Sequence, residues 1–257
     1  MPDAVEPTTL AVAPEADVPA DQIRFRSDMT VELVKASAHD WDVVFAARVS
    51  TAGEQSLEDV DSDPARSKGL IGFLMRERHG SPFEHNSMTF YVQAPIFVFR
   101  EFMRHRIASY NEESGRYRQL DPVFYVPGPE RRLVQQGKPG AYVFVEGTPE
   151  QFALVDAATR RSCTQAYAAY LEMLDAGVAR EVARGVLPVA TYSSMYVTMN
   201  ARSLMNFLSL RTKRDGSHFP SYPQREIEMV AELMEVEWSR LMPITHAAFE
   251  AAGRVSP

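Results

Sequence analysis

A chain of 257 residues, 45% hydrophobic and 24% charged, is long enough to bury one substantial core. Its net charge of −7 excludes a globally basic nucleic-acid binder, and residues 1–23 supply −5 of it through Asp3, Glu6, Glu15, Asp17 and Asp21, with no Lys or Arg. No apolar run reaches the roughly 18 residues that span a bilayer. The single cysteine, Cys163, excludes an internal disulfide and suits a reducing, cytoplasmic setting.

Residues 1–22, rich in Pro, Ala and acidic side chains, are expected to form a disordered extension, and 23–257 a single domain. They lack the basic and apolar regions of a secretory signal. Met29, Val31 and Leu33 alternate with polar neighbours and predict a strand within 23–34. Asp40 is expected to cap a short helix. A polar loop over 51–66 leads to a helix that starts near Pro64 and ends at His79-Gly80, with the glycine at C′. Met88, Phe90 and Val92 alternate with Thr89, Tyr91 and Gln93 in a half-buried strand. Pro95 opens a helix with Ile96, Phe99, Phe102 and Met103 on one face, and Arg104, His105 and Arg106 at its end.

Residues 104–117 read Arg-His-Arg-Ile-Ala-Ser-Tyr-Asn-Glu-Glu-Ser-Gly-Arg-Tyr. So many polar groups would lack partners in a core, so a loop wrapping an anionic, hydrogen-bonding ligand is expected. Extended pieces flank Asp121-Pro122, and 136–147 is expected to be a surface excursion. Thr148-Pro149-Glu150-Gln151 is a capping box with proline at N1. The long helix it opens should run to about Ala176, where Gly177 stops it. A second helix carries Arg180 and Arg184 and stops before Pro188; a strand follows over 191–199. Asn200 caps a helix to Arg211, and a loop with Asp215-Gly216 leads to one final helix from Pro223 to the 247–253 region. Long helices with few strands predict an α+β fold, a mixed or antiparallel sheet flanked by helices.

Among chemistry-bearing residues, His79 and His85 are metal ligands by type, but Gly80 and Pro82 between them preclude a helical i, i+4 pair, and no metal is assigned. Cys163 lies on the long helix; Arg160 and Arg161 project elsewhere, so no cation lowers its pKa and a structural role is expected. Asn206 is four residues after Arg202 and shares its helix face. Neither a G-x-G-x-x-G nor a Walker-type loop is present, so a dinucleotide would not sit on a Rossmann or P-loop frame.

Arg104-His105-Arg106-x-x-Ser109-x-Asn111-Glu112-x-Ser114-x-Arg116 resembles the signature of the flavin-dependent thymidylate synthases at all of its fixed positions. The resemblance extends to 79–85, Arg184 and 200–211, covering roughly residues 25–245. It implies a homotetramer of α+β subunits with shared active sites. The reaction it implies converts dUMP to dTMP, with carbon from 5,10-methylenetetrahydrofolate and reducing equivalents from NADPH through FAD. Position by position, it assigns dUMP to Glu101, Phe102, Met103, Arg104, Glu112 and Glu113, and to Ser114, Gly115, Arg116, Arg184 and Arg211. Arg104, Arg116, Ser114 and Gly115 would meet the phosphate or nearby polar atoms, Glu101 the sugar, and Arg184 would arrive from a neighbouring subunit. FAD falls to His79, Ser81, Arg104, His105, Arg106, Glu112, Asn200, Arg202 and Asn206.

Arg211 matches the family arginine that activates uracil, and is the expected catalytic residue. Such a cation stabilises negative charge on the ring and makes C5 nucleophilic without a cysteine adduct at C6. The loop 212–222 and the 136–147 excursion depart from the family pattern. Partners are expected to be small molecules and further copies of the chain, not nucleic acid or membrane. Two competing readings stay open: a nucleotide- or RNA-binding module that uses the arginines for phosphates, and a flavoprotein of unrelated reaction.

Overall fold

The computed structural model describes residues 23–52, 64–138 and 141–257; the expected N-terminal extension and most of the 51–66 loop lie outside them. The centre is an antiparallel sheet in the order β2 (Thr30–Ser37), β3 (Ser87–Pro95), β8 (Tyr192–Met199), β4 (Ser109–Glu112). The period-two pattern of β3 holds: Met88, Phe90, Val92 and Ala94 are buried, while Thr89, Tyr91 and Gln93 are half-buried. Met195, Val197 and Met199 of β8 lie on the same buried face. The opposite face is polar, with a Thr89–Thr198 hydroxyl hydrogen bond of 2.9 Å and Tyr91 beside Tyr196.

The expected strand within 23–34 is two strands, β1 (Arg24–Arg26) and β2, and β1 pairs in parallel with β5 (Val123–Tyr125). The 136–147 excursion is a hairpin, β6 (Val134–Lys138) and β7 (Ala141–Val145). The expected loop at 104–117 contains β4. Sheet position overrode composition there: an edge strand with one open face has room for Ser109 and Asn111.

The helices are α1 (Asp40–Ala52), α2 (Pro64–Arg76), α3 (Ile96–Phe102), α4 (Pro149–Asp175), α5 (Arg180–Ala183), α6 (Ala201–Arg211), α7 (Arg225–Leu241) and α8 (Pro243–Ala251). Thr148 forms both halves of its capping box, and Asn200 Oδ1 accepts from the Ser203 amide at 2.9 Å. Gly177 adopts φ +82, its amide donates to the Leu174 carbonyl and the Val178 amide donates to the Met173 carbonyl, the Schellman stop that its sequence promised.

Three helix ends differ from expectation. Asp40 does not cap α1; Asp42 accepts from the His39 amide instead. The Asp40 carboxylate is buried and accepts from the amides of Ile244 and Thr245 and from the Thr245 hydroxyl, capping α8 two hundred residues away. α2 stops at Arg76, and the left-handed C′ residue is Arg78 (φ +61); Gly80 has an ordinary φ of −77. The single final helix is two, because Pro243 cannot continue α7 and opens α8.

α3, α6 and α7 cover the buried sheet face. α7 contributes Ile227, Val230, Ala231, Met234 and Trp238 at helical spacing. A second cluster joins α4 to β5 through Phe124, Cys163, Tyr167 and Tyr170. A buried ionic knot ties α7, α8 and the last residues together. Arg254 donates to both Glu235 carboxylate oxygens, at 2.7 and 3.1 Å, to Glu250, and to Thr212 Oγ1 at 2.8 Å. Burial alone would raise the Glu235 pKa, but hydrogen bonds from His246 and Arg254 and the charges of Arg254 and Arg214 outweigh it and hold it at about 2. Because this carboxyl titrates below its ordinary 4.5, its contribution is complete above that pH and is lost as pH falls towards 2. Denaturant unfolding should therefore lose on the order of 2–3 kcal/mol across that window. Glu235→Gln should be less stable at neutral pH and show a flatter acid limb.

Candidate active site

β4 carries the middle of the arginine-rich motif, Ser109 to Glu112, with Arg104 and Arg106 before it and Arg116 after it, and strand alternation divides its side chains. Tyr110 and Glu112 pair with Val197 and Met195 and share their face, towards α3 and α6; Ser109 and Asn111 pair with Thr198 and Tyr196 on the open face. The Tyr110 hydroxyl donates to the His105 carbonyl at 2.5 Å, with the Phe102 carbonyl 3.3 Å away, which clips the end of α3 to the strand. Burial pushes this phenol up to about 12, so it stays a donor. Glu112 accepts from Ser193 Oγ at 2.7 Å. Glu113 accepts from the Ser194 amide at 3.1 Å and faces Arg118 at 3.3 Å. Asn111, Glu112, Glu113, Tyr91, Ser194 and Tyr196 line a cleft of about 180 Å³.

On the α3–α6 side, Arg211 and Glu101 form an ion pair with side chains only 16% and 23% exposed. Both were expected to meet the nucleotide; that they hold each other was not visible in the sequence. Nearby, Phe102 stacks on Phe207 at 4.4 Å between ring centroids, and His105 meets Phe207 edge-on at 5.4 Å. His105 Nε2 lies 2.9 Å from Ser203 Oγ, and the Ser203 hydroxyl donates to the Ile107 carbonyl. A hydroxyl has one proton to give, so Nε2 carries the hydrogen and Nδ1 keeps a lone pair. Ser203 was missed at the sequence level; its one signal is its place three residues after the Asn200 cap.

A second group gathers where Gly115 is buried. A Cβ there would crowd Leu120 and the Arg184 Cδ at 3.1–3.2 Å, so Arg184 packs beside the motif of its own chain. Arg116 Nε donates to Glu181 Oε2 at 2.8 Å on the exposed start of α5, and its amide donates to Ser114 Oγ at 3.3 Å. Among the described residues no hydrogen bond or ion pair joins this group to the Glu101–Arg211 group.

The third group is the set assigned to flavin. His79 is exposed and stacks on Phe73, and Ser81 is exposed on the 3₁₀ turn Ser81–Glu84. Arg202 pairs with Glu84, and Asn206 Nδ2 donates to the Arg202 carbonyl at 3.2 Å. A Cβ on Gly80 would overlap the Arg202 guanidinium, which explains a glycine in an ordinary conformation. Arg104, Arg106 and Met103 are exposed, and the two arginines make no ion pair among the described residues. Free cations, amide side chains and a close-packed glycine suit a pyrophosphate-bearing cofactor.

Cys163 is 2% exposed on α4, and burial pushes its thiol up, the opposite of an activated nucleophile. Glu235, His246 and Glu250 bring metal-ligand atoms together, and the Arg254 guanidinium lies among them. No described helix is long and apolar enough to cross a membrane.

A cationic, hydrogen-bonding site on an antiparallel sheet suits an enzyme that binds an anionic ligand. The family model described as "Thymidylate synthase complementing protein" matches residues 32–244. The chain is 70% identical over 244 residues to a flavin-dependent thymidylate synthase of Streptomyces coelicolor, covering 94% of this chain and 99% of that one. It is 63% identical over 233 residues to one of Tropheryma whipplei, covering 91% and 97%. Among solved structures, the UMP/dUMP methylase PolB of Streptomyces cacaoi bound with 5-Br dUMP superposes with TM-score 0.86 at 58% identity, over 91% of this chain and 100% of that one. The same protein bound with 5-Br UMP gives 0.85 at 56%, over 92% and 100%. The chain belongs to the flavin-dependent thymidylate synthase family.

Burial first, then the Arg211 charge, lowers the His105 pKa, against an opposing hydrogen bond with Ser203. The imidazole should be neutral at pH 7, titrating below 6.5. Ring nitrogen NMR should show this, and Arg211→Gln should raise the midpoint; a midpoint above 7 would contradict the assignment.

Proposed function

We propose that this enzyme reductively methylates dUMP to dTMP, with 5,10-methylenetetrahydrofolate as carbon donor and NADPH as reductant through FAD, without a cysteine nucleophile. The observation that carries the reading is the half-buried Arg211–Glu101 pair in a chain whose only cysteine is buried on another element. The PolB structures, bound with 5-bromo UMP and 5-bromo dUMP, support a pyrimidine nucleotide as substrate.

Glu101 fixes the guanidinium and leaves further N–H donors for the uracil ring. A planar cation already anchored stabilises negative charge on the pyrimidine oxygens without reorganising at the moment of reaction. Arg116, Arg184, Ser114 and Gly115 receive the phosphate, where the dianion displaces Glu181 from Arg116. Glu112 and Glu113, backed by Ser193 and the Ser194 amide, orient the nucleotide between these ends. His79, Ser81, Arg202, Asn206, Asn200, His105 and Arg106 hold FAD. When bound and reduced, FAD supplies the hydride that completes the methyl group. Arg184 beside its own Gly115, with no bond to the Glu101–Arg211 group among the described residues, supports sites completed between subunits of a homotetramer. We place the protein in the cytoplasm.

Arg211→Ala should lower kcat about 100-fold or more, the scale of a lost electrostatic stabiliser. Its dUMP affinity should fall less than that of Arg116→Ala. Cys163→Ala should keep full activity. Absence of dTMP from the reduced, anaerobic enzyme supplied with dUMP and methylenetetrahydrofolate would overturn the reading.

A further inference from the structure

Residues 254–257 are docked, not trailing. Arg254, Ser256 and Pro257 are buried, and Arg254 anchors the segment through Glu235 and Thr212. Beyond that anchor, the polar contacts of the segment among the described residues go to α6 and to the turn after α2, which carry flavin assignments. The Pro257 carbonyl accepts from Arg202 Nε at 2.7 Å, and Ser256 Oγ donates to the Arg202 carbonyl at 3.2 Å. The Ser256 carbonyl accepts from Arg78 Nη2 at 3.4 Å, next to His79. Val255 and Ser256 form one wall of a cleft of about 280 Å³ whose other walls include Arg78 and Asn206.

Arg202 is thus held on two sides. Glu84 takes Nη1 and the tail takes Nε, while Gly80 admits the guanidinium plane by lacking a side chain. A guanidinium with five donors and a long stem loses much rotamer freedom when fixed. If a ligand had to do that fixing, its affinity would fall accordingly.

We propose that Ser256 and Pro257 are positioning residues for the flavin: the tail is a strap that preorganises Arg202 and joins the turn after α2 to the start of α6. This rests on the assignment of Arg202 to FAD. The junction between the turn after α2 and the start of α6 is already held by the Met88–Met199 register of β3 and β8, by the Ala201 amide donating to Asn86 Oδ1 at 2.8 Å and by the Arg202–Glu84 pair, so the work of the strap is on the Arg202 guanidinium itself.

The test measures FAD affinity of the full chain by flavin fluorescence quenching, alongside dUMP affinity and melting temperature. Deleting Ser256 and Pro257, which leaves Arg254 in place, should weaken FAD roughly ten-fold, the size of one charge-assisted hydrogen bond. Its dUMP affinity and melting temperature should stay near wild type. Gly80→Ala, which displaces the Arg202 guanidinium by another route, should weaken FAD similarly. In Arg202→Ala the deletion should cost nothing further, which a general loss of stability would not reproduce. If Arg202→Ala weakens FAD and the deletion leaves it within two-fold of wild type in a folded protein, the strap is wrong. If Arg202→Ala itself binds FAD normally, the flavin assignment falls and the strap with it.

Discussion

The pairing of β4 with β8 is the constraint on which the site depends. Ser109 opposite Thr198 and Glu112 opposite Met195 fix which motif side chains face α6 and which face the open sheet. A slip of one residue would exchange the two sets. The register is guarded on the inner face by Tyr110, half-buried between the end of α3 and the sheet with its hydroxyl on the His105 carbonyl. β8 itself is locked by its pairing along the whole of β3 and runs directly into Asn200 and α6. One strand therefore sets the positions of both the motif and the residues from Arg202 to Arg211.

That frame solves an electrostatic problem. Burying a lone guanidinium is costly, and a fully solvated one is a weak polariser. Pairing Arg211 with Glu101 at partial burial keeps the charge in place without neutralising its remaining donors. The same device recurs at Arg202 with Glu84, and at Arg116 with Glu181. In each, a carboxylate holds an arginine at a position assigned to an anionic ligand. The exposed Arg116–Glu181 pair is the weakest of these, which suits a site where a phosphate must take the carboxylate's place.

The legible parts of the fold were those with local causes. The Thr148 box, the Gly177 stop, the Asn200 cap and the alternation of β3 each depend on a few neighbouring residues, and each stands where the sequence put it. What stayed hidden was set by distant parts of the chain. Asp40 reads as a local cap, yet two better-placed amides of α8 claim it. Gly80 reads as a helix stop, yet its missing side chain makes room for Arg202. β4 reads as a loop because strand propensity describes a half-buried surface, and this strand has a polar edge. At the site, residue types were legible from the motif, but the partners Glu101 with Arg211 and His105 with Ser203 are about a hundred residues apart in the chain and carry no pattern.

The central claim is that a carboxylate-held cation, not a covalent adduct, activates the pyrimidine. The most direct test is the ¹³C resonance of [6-¹³C]dUMP bound to the FAD-loaded enzyme. The account predicts that C6 stays in the trigonal range and that its shift moves when Arg211 is replaced by lysine. A tetrahedral C6 resonance, the mark of a bond to a side chain, would contradict it.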